Sequence, residues 1–276
     1  MIRILFVMAT LAAWTLILLP FQLVSVALNL RAQRAIPHLY HRVACRLIGV
    51  RIREVGQRCA AAPALILSNH VSWLDICVIS ALTPVVFISK SEVARWPVFG
   101  CLARLQRTIF IDRQARHRTG AATAEIGERL LEGDAVVLFA EGTSSDGVRI
   151  LPFRSSLIGA VHHALGRSTQ HGAITVQPLS LAYVRFGGLP VGRALRERVA
   201  WYGDADLIPH FLGIIASGAI DVTVSWGDPT ATAMSTDRKQ IARDAERMVR
   251  RMTASALKAG APGRAATVPV ALPQTA

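Results

Sequence analysis

The chain has 276 residues, with 31 Lys and Arg against 18 Asp and Glu, a net charge of +13, an isoelectric point near 11.0 and 52% hydrophobic residues. That length accommodates one domain with appendages and excludes two large ones. A nucleic-acid binder is basic but seldom so apolar, so this pairing points to an anionic lipid surface and away from nucleic acid.

From Ile4 to Leu30 there is no charged residue, a run longer than the ~20 residues that cross a bilayer. Pro20 lies inside it and Gln22, Ser25 and Asn29 follow, so two arrangements satisfy it: a spanning helix, or a kinked helix pair lying half-inserted. Arg3 ahead of the run imitates a secretory signal, but no small-x-small site closes a short apolar core. Arg31, Arg34, His38, His41, Arg42, Arg46, Arg51 and Arg53 come directly behind. By the positive-inside tendency this end, and the domain after it, faces the cytoplasm.

Beyond this flank, strand-like and helix-like segments alternate as in an α/β domain. Ala64–Leu67 is a short apolar strand ending at Ser68-Asn69-His70, and Leu74–Leu82 reads as a helix. Val85–Ile88 and Thr108–Ile111 are further β-branched runs. Ala121–Glu132 reads as a helix broken by Gly133-Asp134, and Ala135–Phe139 is a buried strand running into Glu141-Gly142-Thr143. Ile174–Val176 and Ile220–Val224 supply more strands, Asp237–Lys258 is an amphipathic helix, and 259–276 is an Ala/Pro/Gly/Thr-rich tail expected to be disordered. Each polar cluster follows an apolar strand, and in open α/β sheets strand ends are where ligands gather. Cys45, Cys59, Cys77 and Cys101 form no C-x-x-C pair and no metal-ligand spacing, so they read as reduced, packed thiols, with no metal or cofactor implied.

His70 and Asp75 carry the candidate chemistry. Activating a hydroxyl for attack needs a base for its proton, and histidine is the side chain suited to that near neutrality. A carboxylate on the other ring nitrogen would fix its tautomer and stabilise the imidazolium. A spacing of five does not stack two residues on one helix face, so the pair requires a turn entering a helix, with Ser72 as its N-cap. No protein nucleophile is required if a substrate hydroxyl attacks directly. In isolation His-x4-Asp is a weak signal; His162 and His163 read as structural, and Trp96-Pro97 as core, a membrane wedge or a substrate contact.

Asn69-His70-x-Ser72-x-x-Asp75 resembles the N-H-x4-D block of the lysophosphatidic acid acyltransferase (glycerolipid acyltransferase) family. Three more blocks follow in that family's order over roughly Val55 to Ser180. Lys90 and Trp96–Gly100 lead to Ile109–Arg113, which looks like the second; Phe139-Ala140-Glu141-Gly142-Thr143-Ser144 is similar to the third; Val176-Gln177-Pro178-Leu179 matches the fourth. The resemblance implies a central mixed sheet flanked by helices, with an N-terminal membrane-inserted helical segment over 1–48 and the acyltransferase domain over 49–258. It implies His70 and Asp75 as the catalytic dyad, with Asn69, Ser72, Arg113, Glu141, Gly142 and Thr143 about the substrates. Amides near Gly142 are candidates for the oxyanion.

Where that family's third block has Pro and then Arg, this chain has Ala140 and Ser144. A serine cannot make the bidentate phosphate contacts of a guanidinium. Arg107 replaces a frequent Gly, and Ser144-Ser145-Asp146-Gly147 with Leu151–Arg154, Trp201–Asp204 and Pro209-His210 resembles the lyso-ornithine lipid O-acyltransferases within the family. Their acceptor carries an amine and a carboxylate but no phosphate. Asp146 then suits the amine, and Arg107 or Arg113 the carboxylate, with Ser144 beside them. The expected donor is acyl carrier protein or acyl-CoA, the expected acceptor a lyso-lipid, and the expected location the cell inner membrane. The other readings are phosphatidic acid synthesis and a non-catalytic membrane protein that binds anionic lipid.

Overall fold

A computed structural model describes residues 1–59, 64–111, 119–156, 158–159, 173–233 and 236–260. Helix α1 (Ile2–Ala27) runs unbroken through Pro20. The chain reverses beyond it, with Asn29 at φ 49°, and returns as α2 (Ala32–Ile48). Thr15 donates to the Tyr40 hydroxyl at 3.2 Å and Gln22 to the Gln33 carbonyl at 3.1 Å, a pairing that makes the two helices an antiparallel hairpin. The reversal therefore lies past the proline.

α1 is long and apolar enough to cross a membrane, yet both of its ends are tied to the globular body. Arg3 donates from Nε to the Ile215 carbonyl and from Nη2 to the Ile48 carbonyl, each at 2.8 Å. Nineteen residues on, about 28 Å along an α-helix, Gln22 donates to the Leu105 carbonyl at 2.6 Å. Glycine admits the Arg3 guanidinium: a Cβ on Gly218 would stand 2.3 Å from Nη2. Between these anchors Leu5, Phe6, Leu16, Ile17 and Phe21 are all more than half exposed.

The body is one nine-stranded sheet with the order β1-β8-β6-β2-β5-β3-β4, and β7 and β9 also pair with β6. The strands are β1 (Val50–Val55), β2 (Ala64–Ser68), β3 (Val86–Lys90), β4 (Ile109–Ile111), β5 (Ala135–Phe139), β6 (Ala173–Phe186), β7 (Leu189–Pro190), β8 (Ile220–Trp226) and β9 (Thr230–Ala233). β2 lies parallel to both β5 and β6, while β6 is antiparallel to β7, β8 and β9, so the sheet is mixed as expected.

Helices cover both faces, which explains why β2 and β5 read as continuous apolar runs instead of alternating ones. Ile66, Val137 and Phe139 face a core shared with α2 and with α3 (Leu74–Leu82). Leu65, Leu67, Val136 and Leu138 face a second core. Into it pack α5 (Thr119–Leu131), through Ile126 and Leu130, and α8 (Arg238–Gly260), through Ile241, Ala245 and Val249. The described residues also hold a 3-10 turn (Ser91–Arg95) and three shorter α-helices, α4 (Phe99–Leu105), α6 (Arg193–Val199) and α7 (Leu207–Ser217). The alternation read from the sequence is thus present, and the carboxyl ends of β2, β3 and β5 come side by side.

Candidate active site

β2 ends at Ser68, and the turn 69–73 carries the chain into α3, whose first turn holds Asp75. His70 Nδ1 meets Asp75 Oδ2 at 2.8 Å. A carboxylate only accepts, so the proton on that ring nitrogen belongs to His70, and Nε2 is left as the acceptor. The ring is stacked on Phe139 at 4.0 Å and 17°, and the His70 side chain keeps 19% exposure into an adjacent cavity.

Asp75 is wholly buried, a placement that a carboxylate tolerates only when hydrogen-bonded. Its Oδ2 also accepts the N–H groups of Val71 at 2.7 Å and Ser72 at 3.0 Å, closing the entry turn of α3. Its Oδ1 accepts the Tyr183 hydroxyl at 2.7 Å. Burial first, and then the Asp75 charge, push the Tyr183 phenol well above its ordinary pKa, so it remains a donor. Nothing in the spacing of the sequence motifs marks Tyr183; it arrives because β6 lies beside β2. Cys77 is also close, but burial, followed by the Asp75 charge, drives its thiol up to about 12, which denies it a nucleophilic thiolate.

The loop after β5 grips this turn. Glu141, buried in full, accepts the His70 N–H on Oε1 and the Leu151 N–H on Oε2, both at 2.9 Å. Burial raises its pKa against those two hydrogen bonds. Ser145 N–H donates to the His70 carbonyl at 2.8 Å. Gly142 has φ +75°, and a Cβ there would stand 2.9 Å from Arg154 Cδ, so both backbone and space require glycine.

Several expectations change in this setting. Asn69 is fully buried and pairs both ends of its amide with the Leu181 backbone, at 2.8 and 3.0 Å. It extends the β2–β6 ladder, with both amide atoms already engaged. Ser72 is buried as well, and its Oγ lies 3.4 Å from Leu74 N; no side chain caps α3, and Asp75 instead accepts the two N–H groups that precede the helix. Glu141 is spent on backbone amides, and the Gly142 N–H is bonded to the Phe139 carbonyl at 3.0 Å, so it is not the oxyanion donor.

Arg107 is the largest correction. It precedes β4, at the opposite ends of the parallel strands from His70, in ion pairs with Glu132 and, at 2.8 Å, Asp134. Arg34 of α2 joins Asp134 at 2.5 Å. This cluster fastens the N-terminal hairpin to the body. Arg113, His162 and His163 lie outside the described residues.

Gly142, Thr143, Ser144, Lys90 and Trp96 do line the cavity, together with His70 and Trp73. It measures about 730 Å³, and Leu11 and Leu18 of α1, Ile36 and Tyr40 of α2 and Leu102 of α4 make its walls mainly apolar. Trp96 meets Trp201 edge-on at 6.2 Å near one end. An acyl chain has the shape and polarity for such a space.

The acyltransferase family model matches residues 48–182. A lyso-ornithine lipid O-acyltransferase of Brucella abortus is 48% identical over 256 residues, covering 93% of this chain and 96% of its own. The chain belongs to the acyltransferase family. A second acyltransferase relative, the lyso-ornithine lipid O-acyltransferase of Rhizobium meliloti, is 42% identical over 244 residues, covering 88% and 83%. The fold matches the crystal structure of the 1-acyl-sn-glycerophosphate acyltransferase of Thermotoga maritima, with a TM-score of 0.61 and 18% identity over 92% of this chain and 96% of that one. This acyltransferase thus has a solved counterpart for its mixed sheet and flanking helices.

Proposed function

We propose that this acyltransferase moves a fatty acyl group from an acyl thioester to the hydroxyl of lyso-ornithine lipid, forming ornithine lipid. The observation that carries the reading is the near full-length likeness to two relatives named for that reaction. Ser144, where an arginine would otherwise meet a phosphate, agrees with it.

In this mechanism His70 Nε2 takes the hydroxyl proton as the oxygen attacks the thioester carbonyl. Asp75 holds the ring and stabilises the imidazolium. The tetrahedral oxyanion is received by the N–H groups of Thr143 and Ser144, whose residues line the cavity. Collapse expels the thiolate, which recovers the proton from His70. The acyl chain occupies the apolar cavity.

The donor is acyl carrier protein, an acidic partner suited to a chain of net charge +13, with acyl-CoA as the alternative. The hairpin over 1–48 rests half-inserted in the cytoplasmic leaflet of the inner membrane, and 49–258 forms the catalytic domain beneath it. Support for half-insertion comes from Arg3 and Gln22, which tie both ends of α1 to one body.

Purified protein supplied separately with lyso-ornithine lipid and lysophosphatidic acid tests the acceptor. Turnover of the first is expected, and activity on lysophosphatidic acid alone refutes the assignment.

A further inference from the structure

The cavity beside His70 is apolar over most of its wall, but Lys90 is the one ammonium and Glu92 the one carboxylate among the described residues that line it. Lys90 closes β3, and Glu92 lies in the 3-10 turn that follows. Both are exposed. Neither forms an ion pair among the described residues, and the Glu92 carboxylate accepts there only a long hydrogen bond from Ser91 Oγ, at 3.4 Å. Opposite charges this close in the chain that do not neutralise one another are open to a ligand carrying both signs.

The strand register sets this pair beside the candidate dyad. Phe87 of β3 stacks on Phe139 at 5.9 Å and 14°, and Phe139 on His70 at 4.0 Å and 17°. β3 pairs with β5 through Phe87 and Val137, and continuing in that register it brings Lys90 level with Ala140, at the start of the loop that carries Thr143 and Ser144. Lys90 thus stands about 10 Å beyond Phe87, toward the strand ends at which His70 lies. Trp96, just past Glu92, lines the same cavity and meets Trp201 at 81°; indole rings attract an ammonium and not a phosphate. Asp146, which the sequence suggested for the amine, is not part of this lining, and its Oδ1 accepts the N–H groups of Val148 and Arg149 at 2.8 and 2.9 Å.

We infer that Glu92 receives the free amine of the acceptor headgroup while Lys90, beside it, receives the carboxylate, so that the rim of the cavity reads a zwitterion. This rests on the acceptor proposed above and replaces Asp146 and Arg107 as the headgroup contacts. A phosphate monoester could meet Lys90, but its further negative charge would be repelled by Glu92, and it brings no amine to offset that. Glu92 thus adds a repulsive element against lysophosphatidic acid to the arginine that is missing at Ser144.

The test compares lyso-ornithine lipid with its amine-acetylated analogue and with its carboxamide on the full-length protein. Wild type is expected to favour the free amine over the acetylated lipid, and the free acid over the carboxamide, each by about tenfold in kcat/KM and mostly through KM. Glu92→Gln removes the preference for the amine and keeps the one for the acid, and Glu92→Asp restores part of what is lost. Lys90→Gln does the reverse. Equal use of free and acetylated amine by wild type, or a preference for the amine that survives in Glu92→Gln, overturns the inference with the acceptor reading intact. Loss of both preferences, or of all turnover, in Glu92→Gln also overturns it, since that marks a structural part and not a headgroup contact. Absence of turnover of lyso-ornithine lipid by wild type overturns the acceptor reading itself.

Discussion

The Tyr183 hydroxyl and the Asp75 carboxylate, 108 residues apart in the chain, meet at 2.7 Å in a region closed to solvent. Through that contact β6 helps to hold the acid that holds His70. Tyr183→Phe is expected to cost ~1.5–3 kcal/mol of stability, because Asp75 Oδ1 loses its donor. It should also lower kcat by about tenfold, leave the KM for the acceptor little changed and move the acid limb of the pH–rate profile upward. An unchanged profile in the folded variant would show that Tyr183 serves packing alone.

His70→Ala should abolish turnover by at least ~10³-fold while membrane association persists. Asp75→Asn should approach that loss by favouring the other tautomer. Steady-state rates and flotation with vesicles separate the two properties, and a fully active His70→Ala protein would refute the general-base assignment.

Acid sensitivity should trace in part to His41 on α2. Burial is the main cause that lowers its pKa from 6.5 to about 4, against the hydrogen bond that its Nε2 donates to Gln106 Oε1. Between these values the unfolded chain binds the proton and the folded chain does not. Stability is therefore complete above pH 6.5 and falls as the pH drops toward about 4. Thermal melts in detergent at about pH 7 and about pH 5 should differ less for His41→Gln than for wild type. Equal differences would clear His41 of this role.

The membrane arrangement can be read by labelling. Single cysteines at Ile2 and at Arg31, in a chain whose native cysteines are replaced, should both react with an impermeant maleimide from the cytoplasmic side. Labelling of Ile2→Cys only from the opposite side would mean that α1 spans the bilayer.

Much of the fold was legible because its signals are local. Apolar runs marked β2, β3 and β5, the 3.6-residue period marked α8, and Ser68-Asn69-His70 announced the turn that enters α3. The ordered blocks likewise pointed to His70 and Asp75. Roles within the blocks were less legible, since a buried polar side chain is defined by the donors it meets, and those come from other strands.

The sequence by itself determined the central strands β2 to β5 and β8, the helices α3, α5 and α8, the residues able to do the chemistry and that one end of the chain is apolar enough for lipid, while β1, β7, β9, α4, α6 and α7 were not marked. Only the tertiary structure decided that Asn69 and Glu141 bind backbone, that Arg107 fastens the N-terminal hairpin to Asp134 and that Tyr183 stands at the site. The reason is that hydrophobic periodicity is written residue by residue, whereas hydrogen-bond and charge partners exist only after the strand order brings distant segments within about 3 Å.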